Sequence, residues 1–190
     1  EKFSRRKHDF GFPINAINYC LREANLSPDE LDYVIFYEKP FLKFERIVKT
    51  IVENFPRAWR LFREAMSVWF SEKLWIKNLI KERIGYKGEV LFVEHHLSHA
   101  ASAYFASPFN EAAIITVDGV GEWTTATLGY AKGNEIKILK EIVFPHSLGL
   151  LYSAFTAFLG FKVNNGEYKV MGMSPYGKPR YIDKIKKLIE

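Results

Sequence analysis

Between Ala112 and Phe144 three strand-forming runs follow one another with only short connections: A-A-I-I-T-V, T-T-A-T-L-G-Y and I-K-I-L-K-E-I-V-F. Gly119 and Gly121 lie in the first connection, and Lys132-Gly133-Asn134 makes the second a hairpin turn. Runs this close together demand a sheet built from local pairings, and the flanking pattern supplies helices to cover it. Pro13, Ile14, Ile17, Leu21 and Ala24 read as a helix with proline in its first turn. Leu31–Tyr37 is a strand by its β-branched and aromatic density, ended by Lys39-Pro40. Helices are expected over Phe41–Asn54 and Pro56–Ile84, the latter closed by Gly85 and interrupted near Glu72. Its stripe of Phe62, Ala65, Met66, Trp69, Ile76 and Ile80 reads as core packing, with a partner-binding face as the alternative.

A strand over Glu89–Val93, a helix over Leu97–Ala106 and a helix over Leu148–Leu159 complete the frame, with Ser147 as the N-cap of the last. The glycine-rich stretch N-N-G-E-Y-K-V-M-G-M-S-P-Y-G reads as a loop before a final helix near the C-terminus. The fold class is therefore α/β, a mixed sheet flanked by helices. Glu1–Arg6 and Ile182–Glu190 read as cut ends, so the 190 residues are expected to be a fragment.

Composition narrows the partners. Apolar residues at 48% and charged residues at 26% are ordinary for a water-soluble globular chain. The longest apolar runs cannot span a bilayer, so no membrane partner is expected. The single cysteine, Cys20, shares a helical arc with Ile17 and Leu21, which predicts a buried structural thiol. It excludes an internal disulfide and fits a reducing cytoplasm. Net charge is +5, and over Arg57–Arg83 seven Lys/Arg oppose three Asp/Glu. These are spread along an amphipathic pattern, as on a solvated helix face, and no stacking motif lies among the strands, so nucleic acid is not expected.

The chemistry concentrates in V-E-H-H-L-S-H-A-A-S-A-Y and T-V-D-G-V-G-E-W. His95 and His99 are four residues apart, so on a helix they share one face. Asp118 follows at a strand end and can add an oxygen. Two nitrogens and one oxygen suit Fe(II), zinc or manganese, and the positions left open would mark a catalytic site. Spacing alone also allows two histidines that cap or pack. His96 points elsewhere on the helix and reads as structural. The Asp118–Glu122 loop, with Gly119 and Gly121, either aims N–H groups at a phosphate or is an ordinary turn capped by Asp118. Lys169, between Gly166 and Gly172, either neutralises a phosphate or carbamoyl oxygen or is a surface lysine. His146 reads as structural, and His8 in the basic opening segment is ambiguous.

The segments E-K-F-S-R-R-K-H-D, H-H-L-S-H-A-A-S-A-Y, T-V-D-G-V-G-E-W, F-P-H-S-L-G-L-L-Y-S-A-F-T and G-E-Y-K-V-M-G-M-S-P-Y-G, in that order, resemble the carbamoyltransferase family of nodulation and antibiotic O-carbamoyltransferases. The resemblance implies part of an N-terminal domain of the actin-like ATPase (ribonuclease-H-like) superfold. A YrdC-like domain beyond it would make carbamoyl-adenylate from carbamoyl phosphate and ATP. The carbamoyl group would then pass to a hydroxyl of a small-molecule acceptor at an iron-type site. On that pattern His95, His99 and Asp118 are metal ligands. Gly119, Gly121, Gly166 and Gly172 lie near the nucleotide, and Lys169 and Glu122 carry catalytic roles, Lys169 by stabilising charge. The family pattern places a further segment upstream and a further aspartate ligand downstream. A homo-oligomer is compatible with the resemblance, as is a non-catalytic module that binds nucleotide or a partner through the same fold.

Overall fold

The computed structural model describes every residue except 1, 7, 8, 10, 72 and 190. His8 and the Glu72 interruption therefore lie outside the described residues. The chain divides into two compact units, one up to Val93 and one from Glu94. Strands of both senses are present, a parallel pair in the first unit and an antiparallel triplet in the second.

In the first unit Pro13 occupies the N-cap of α1 (Ile14–Ala24), and Asn25 ends the helix in the left-handed region at φ 53°. No residue of α1 is buried, and Cys20 is exposed, contrary to the thiol expected in a core. The arc it shares with Ile17 and Leu21 is only half covered by the unit. Strand β1 (Val34–Phe36) is shorter than the Leu31–Tyr37 run and pairs in parallel with β2 (Val90–Phe92), Val34 opposite Val90. Helix α2 spans Pro40–Glu53, with proline in its first turn.

The long helix expected over Pro56–Ile84 is divided. Helix α3 covers Trp59–Ser71, a 3-10 turn covers Lys73–Trp75, and α4 covers Ile76–Ile84 before Gly85 at φ 78°. The Trp75 indole N–H reaches back to the Phe70 carbonyl at 3.0 Å, which satisfies an acceptor at the end of α3 and turns the chain. The apolar stripe does reach the interior: Trp69 is buried beside Phe44, and Ile80 packs with Tyr86 and Val90.

In the second unit α5 (His95–Tyr104) precedes an antiparallel meander of β3 (Glu111–Val117), β4 (Thr124–Lys132) and β5 (Glu135–Val143). The hairpin forms at Gly133, with φ 58°. Alternation along β3 turns Ile114 and Thr116 inward, where Ile114 meets Ala100 and Tyr104 of α5 and Ala131 of β4. Helix α6 (Leu148–Phe158) starts at Ser147, whose hydroxyl accepts the Leu150 N–H at 3.0 Å, as expected of an N-cap.

The glycine-rich stretch is helical at its centre, not a loop: α7 runs Glu167–Met173, and α8 follows at Ile182–Ile189. The Glu167 carboxylate explains the start of α7. It accepts the Asn164 N–H and the Ser153 hydroxyl, each at 3.0 Å, and so joins α6 to α7.

Candidate functional site

Helix α5 begins two residues earlier than the pattern suggested, which places all three histidines inside it. The buried Glu122 carboxylate stands at its start, both oxygens accepting the His95 backbone N–H at 3.1 and 3.2 Å. A negative group there suits the positive end of the helix. His95 and His99 then fall one turn apart, and the end of β3 brings Asp118 to the same place.

The three donor atoms converge. His95 Nε2 lies 2.6 Å from Asp118 Oδ2, His99 Nε2 lies 3.1 Å from His95 Nε2, and His99 Nε2 lies 3.6 Å from Asp118 Oδ2. A carboxylate only accepts, so the proton of the shortest contact sits on His95 Nε2. The His95 hydrogen bond, foremost, holds the Asp118 carboxyl well below the usual carboxylate range. Partial burial opposes it, and the Gly119 N–H at 2.7 Å and the nearby imidazoles add to it. Side-chain exposure grades outward from 12% at His95 through 37% at Asp118 to 51% at His99, which leaves an approach from water.

These donors fit a metal. Together they form a group whose ligand atoms all lie within 4.8 Å of one another. Two ligands that each stand about 2.1 Å from a shared ion are at most about 4.2 Å apart, and the separations of 2.6, 3.1 and 3.6 Å fall inside that span. Two imidazoles and one carboxylate match Fe(II), zinc or manganese, and three protein ligands leave room for a substrate oxygen.

His96 has the structural role expected of it. It is buried, with Nε2 2.9 Å from the Thr124 carbonyl and Nδ1 2.7 Å from Thr116 Oγ1. The carbonyl requires the proton on Nε2, so Nδ1 accepts from Thr116, whose oxygen meets Thr127 Oγ1 in turn. Burial, above all, pushes its pKa down and keeps the ring neutral.

Of the two loop glycines, Gly121 acts sterically. The Gly121 N–H bonds Thr124 O at 2.9 Å and the Gly119 N–H bonds Asp118 Oδ1 at 2.7 Å, both within the loop. A Cβ at Gly121 would come within 3.0 Å of the His95 ring, whereas one at Gly119 would meet only Leu150 at 3.8 Å. Gly166 is buried against Phe161, and Gly172 is open to solvent. Lys169 is exposed on α7, its Nζ 5.9 Å from the Phe161 ring centroid. The structure thus gathers His95, His99, Asp118, Gly121 and Glu122, while Gly166 is the N-cap of α7 and Lys169 and Gly172 lie within that helix. His146 is exposed, and its backbone carbonyl accepts the Thr125 hydroxyl at 2.7 Å.

Sequence reasoning missed Gly149 and the second use of Ser147. The Ser147 hydroxyl donates to Gly119 O at 2.7 Å, and a Cβ on Gly149 would stand 2.4 Å from Asp118 O. The S-L-G triplet was the only signal.

Residues 1–190 match the family described as carbamoyltransferase N-terminus. An uncharacterised protein of Synechocystis sp. is 53% identical over 193 residues, covering 97% of this chain and 31% of its own length. The nodulation protein NolNO of Sinorhizobium fredii is 32% identical, covering 94% of this chain and 25% of its own length. An uncharacterised protein of Methanocaldococcus jannaschii is 29% identical, covering 94% and 38%. The chain thus spans a quarter to two fifths of the length of these relatives. A family match over the whole chain, with motifs in the family's order, gives the assignment: the chain belongs to the carbamoyltransferase family.

Proposed function

We propose that this chain carries the metal-binding part of an O-carbamoyltransferase. A carbamoyl group would pass from carbamoyl-adenylate, made from carbamoyl phosphate and ATP, to a hydroxyl of a small-molecule acceptor. The convergence of His95, His99 and Asp118 in a chain of this family is the observation that supports the reading. These three would hold a divalent ion, Fe(II) first by resemblance. Such an ion supplies Lewis acidity against negative charge developing on the carbamoyl group or the adenylate phosphate.

The chain's own residues position that chemistry. Glu122 fixes the first peptide of α5 and with it His95, a positioning role rather than a bond to substrate. Gly121 makes room for the His95 ring. Gly119, Gly121, Gly166, Gly172 and Lys169 are assigned to the nucleotide by resemblance, Lys169 as a cation for its phosphate. In the transfer the acceptor oxygen bonds the carbamoyl carbon as the bond from that carbon to the phosphate oxygen breaks. AMP departs with the electron pair, and the hydroxyl proton passes to a base. Residues 1–190 would be part of an N-terminal actin-like domain, with a YrdC-like domain elsewhere in the longer protein.

The test is metal analysis of the full-length protein with His95→Ala and His99→Ala, alongside calorimetry with a non-hydrolysable ATP analogue. Near-stoichiometric metal in the parent and loss of most of it in both variants is expected. Undiminished metal in both variants overturns the ligand assignment. Nucleotide binding with no dependence on metal would favour a non-catalytic module.

A further inference from the structure

We infer that the segment Ser147–Gly149 at the start of α6 is a positioning element for Asp118, and through it for the donor cluster. The inference rests on the reading of His95, His99 and Asp118 as donors given above. Asp118 sits just past the end of β3, an edge strand whose ladder with β4 ends at Val117. Its backbone N–H bonds Thr125 O at 2.9 Å. Thr125 is the extra residue of a bulge in β4, between Thr124 opposite Val143 and Ala126 opposite Ile142.

The bulge frees the Thr125 hydroxyl to reach the carbonyls of Ile142 at 3.1 Å and His146 at 2.7 Å. One residue thus grips Asp118 with its carbonyl and the approach to α6 with its side chain. From the other side Ser147 Oγ donates to Gly119 O at 2.7 Å, and Asp118 O lies 3.3 Å away. Gly149 closes the contact. A Cβ there would lie 2.4, 2.7 and 2.8 Å from Asp118 O, Asp118 C and Gly119 N, all backbone atoms that cannot swing aside. The Asp118–Gly119 peptide is therefore clamped between a strand bulge and the first turn of a helix. The aim of the carboxylate depends on residues about thirty positions downstream.

Two readouts in the full-length protein test this. In metal-free protein, NMR reads the downfield imidazole proton shared by His95 and Asp118. Titration with cobalt(II) reads affinity and the visible spectrum of the coordination sphere. Gly149→Ala and Ser147→Ala are expected to weaken or shift the shared proton and to lower cobalt affinity by about tenfold or more, the usual cost of losing a support behind a ligand. Ser147→Thr keeps the hydroxyl and is expected to restore both. Thr156→Val serves as the control, since Thr156 is buried in α6 and its hydroxyl donates to the Tyr152 carbonyl at 3.0 Å, within its own helix.

If Thr156→Val, at an equal loss of thermal stability, lowers cobalt affinity as much as Gly149→Ala, the effect is general loosening and the inference fails. It fails equally if Ser147→Ala leaves both the shared proton and the affinity unchanged. A parent protein that binds no cobalt, but whose shared proton moves in Gly149→Ala, would overturn the metal reading and leave the positioning role standing.

Discussion

At the scale of single residues, the site is governed by where an added atom has no room and by which polar atoms a buried ring holds. Gly121→Ala would press a methyl group into the His95 ring. Overpacking of this kind costs roughly 1–3 kcal/mol. Urea denaturation should show that loss together with weaker metal binding, whereas Gly119→Ala, whose Cβ meets only Leu150 at 3.8 Å, should leave stability nearly unchanged. His96→Leu would leave the Thr116 hydroxyl and the Thr124 carbonyl without their imidazole. Each keeps a second partner, Thr127 Oγ1 for the hydroxyl and the Gly121 N–H for the carbonyl, so the loss is that of two net hydrogen bonds at about 0.5–1.5 kcal/mol each, and the midpoint of denaturation should fall. That His95, His99 and Asp118 would lie together was legible in the sequence, because i, i+4 spacing on a helix and an aspartate at a strand end are local facts. The steric role of Gly121 was not, because its reason is a ring 26 positions away in the chain.

Among elements, the α6–α7 connection is held by one carboxylate. Glu167 accepts from Asn164 and Ser153, and its carbonyl accepts the Tyr152 hydroxyl at 3.1 Å. The Asn164 N–H, foremost, lowers its pKa below the ordinary 4.5. A depressed carboxyl contributes stability above its unfolded-state value and loses it as pH falls through the folded-state value. Amide exchange over residues 164–173 should therefore quicken below pH 4.5, and Glu167→Gln should remove most of that pH dependence. The same region shows where pattern reading stops. Three glycines in fourteen residues look like a loop, yet Gly166 is required by its contact with Phe161, and the segment between Gly166 and Gly172 is free to coil. The expected helix over Pro56–Ile84 fails for a related reason. Its apolar stripe is interrupted near Glu72, but the indole that returns to the Phe70 carbonyl and turns the chain is a contact no period records.

For the molecule as a whole, all three donors lie within the unit that begins at Glu94. The mixture of parallel and antiparallel strands was legible, but its partition into a short pair and a separate triplet was not, since sequence runs fix strands more surely than partners. No helix among the described residues is long and apolar enough to cross a membrane. An ion that binds only the folded site stabilises what holds the site together. Cobalt(II) added to the full-length protein should thus slow amide exchange in α5, β3, β4 and the start of α6. Helices α2 to α4 should keep their rates. Uniform slowing across both units, or none in α5, would show that the ion binds elsewhere.

The hydroxyl of Thr116 has a consequence for isomerism. The run H-H-x-x-H offers two ways to chelate an ion from one side of a helix, through residues four apart or three apart. Both nitrogens of the His96 ring are spoken for, one by Thr116 and one by Thr124, so only the pairing of His95 with His99 is available. Replacing Thr116 with valine would release one nitrogen of the middle ring, and paramagnetic resonance of the copper(II)-loaded protein should then show a second species beside the first. On the proposed metal reading, a strand hydroxyl that is not itself a ligand would leave one chelate to a sequence that offers two.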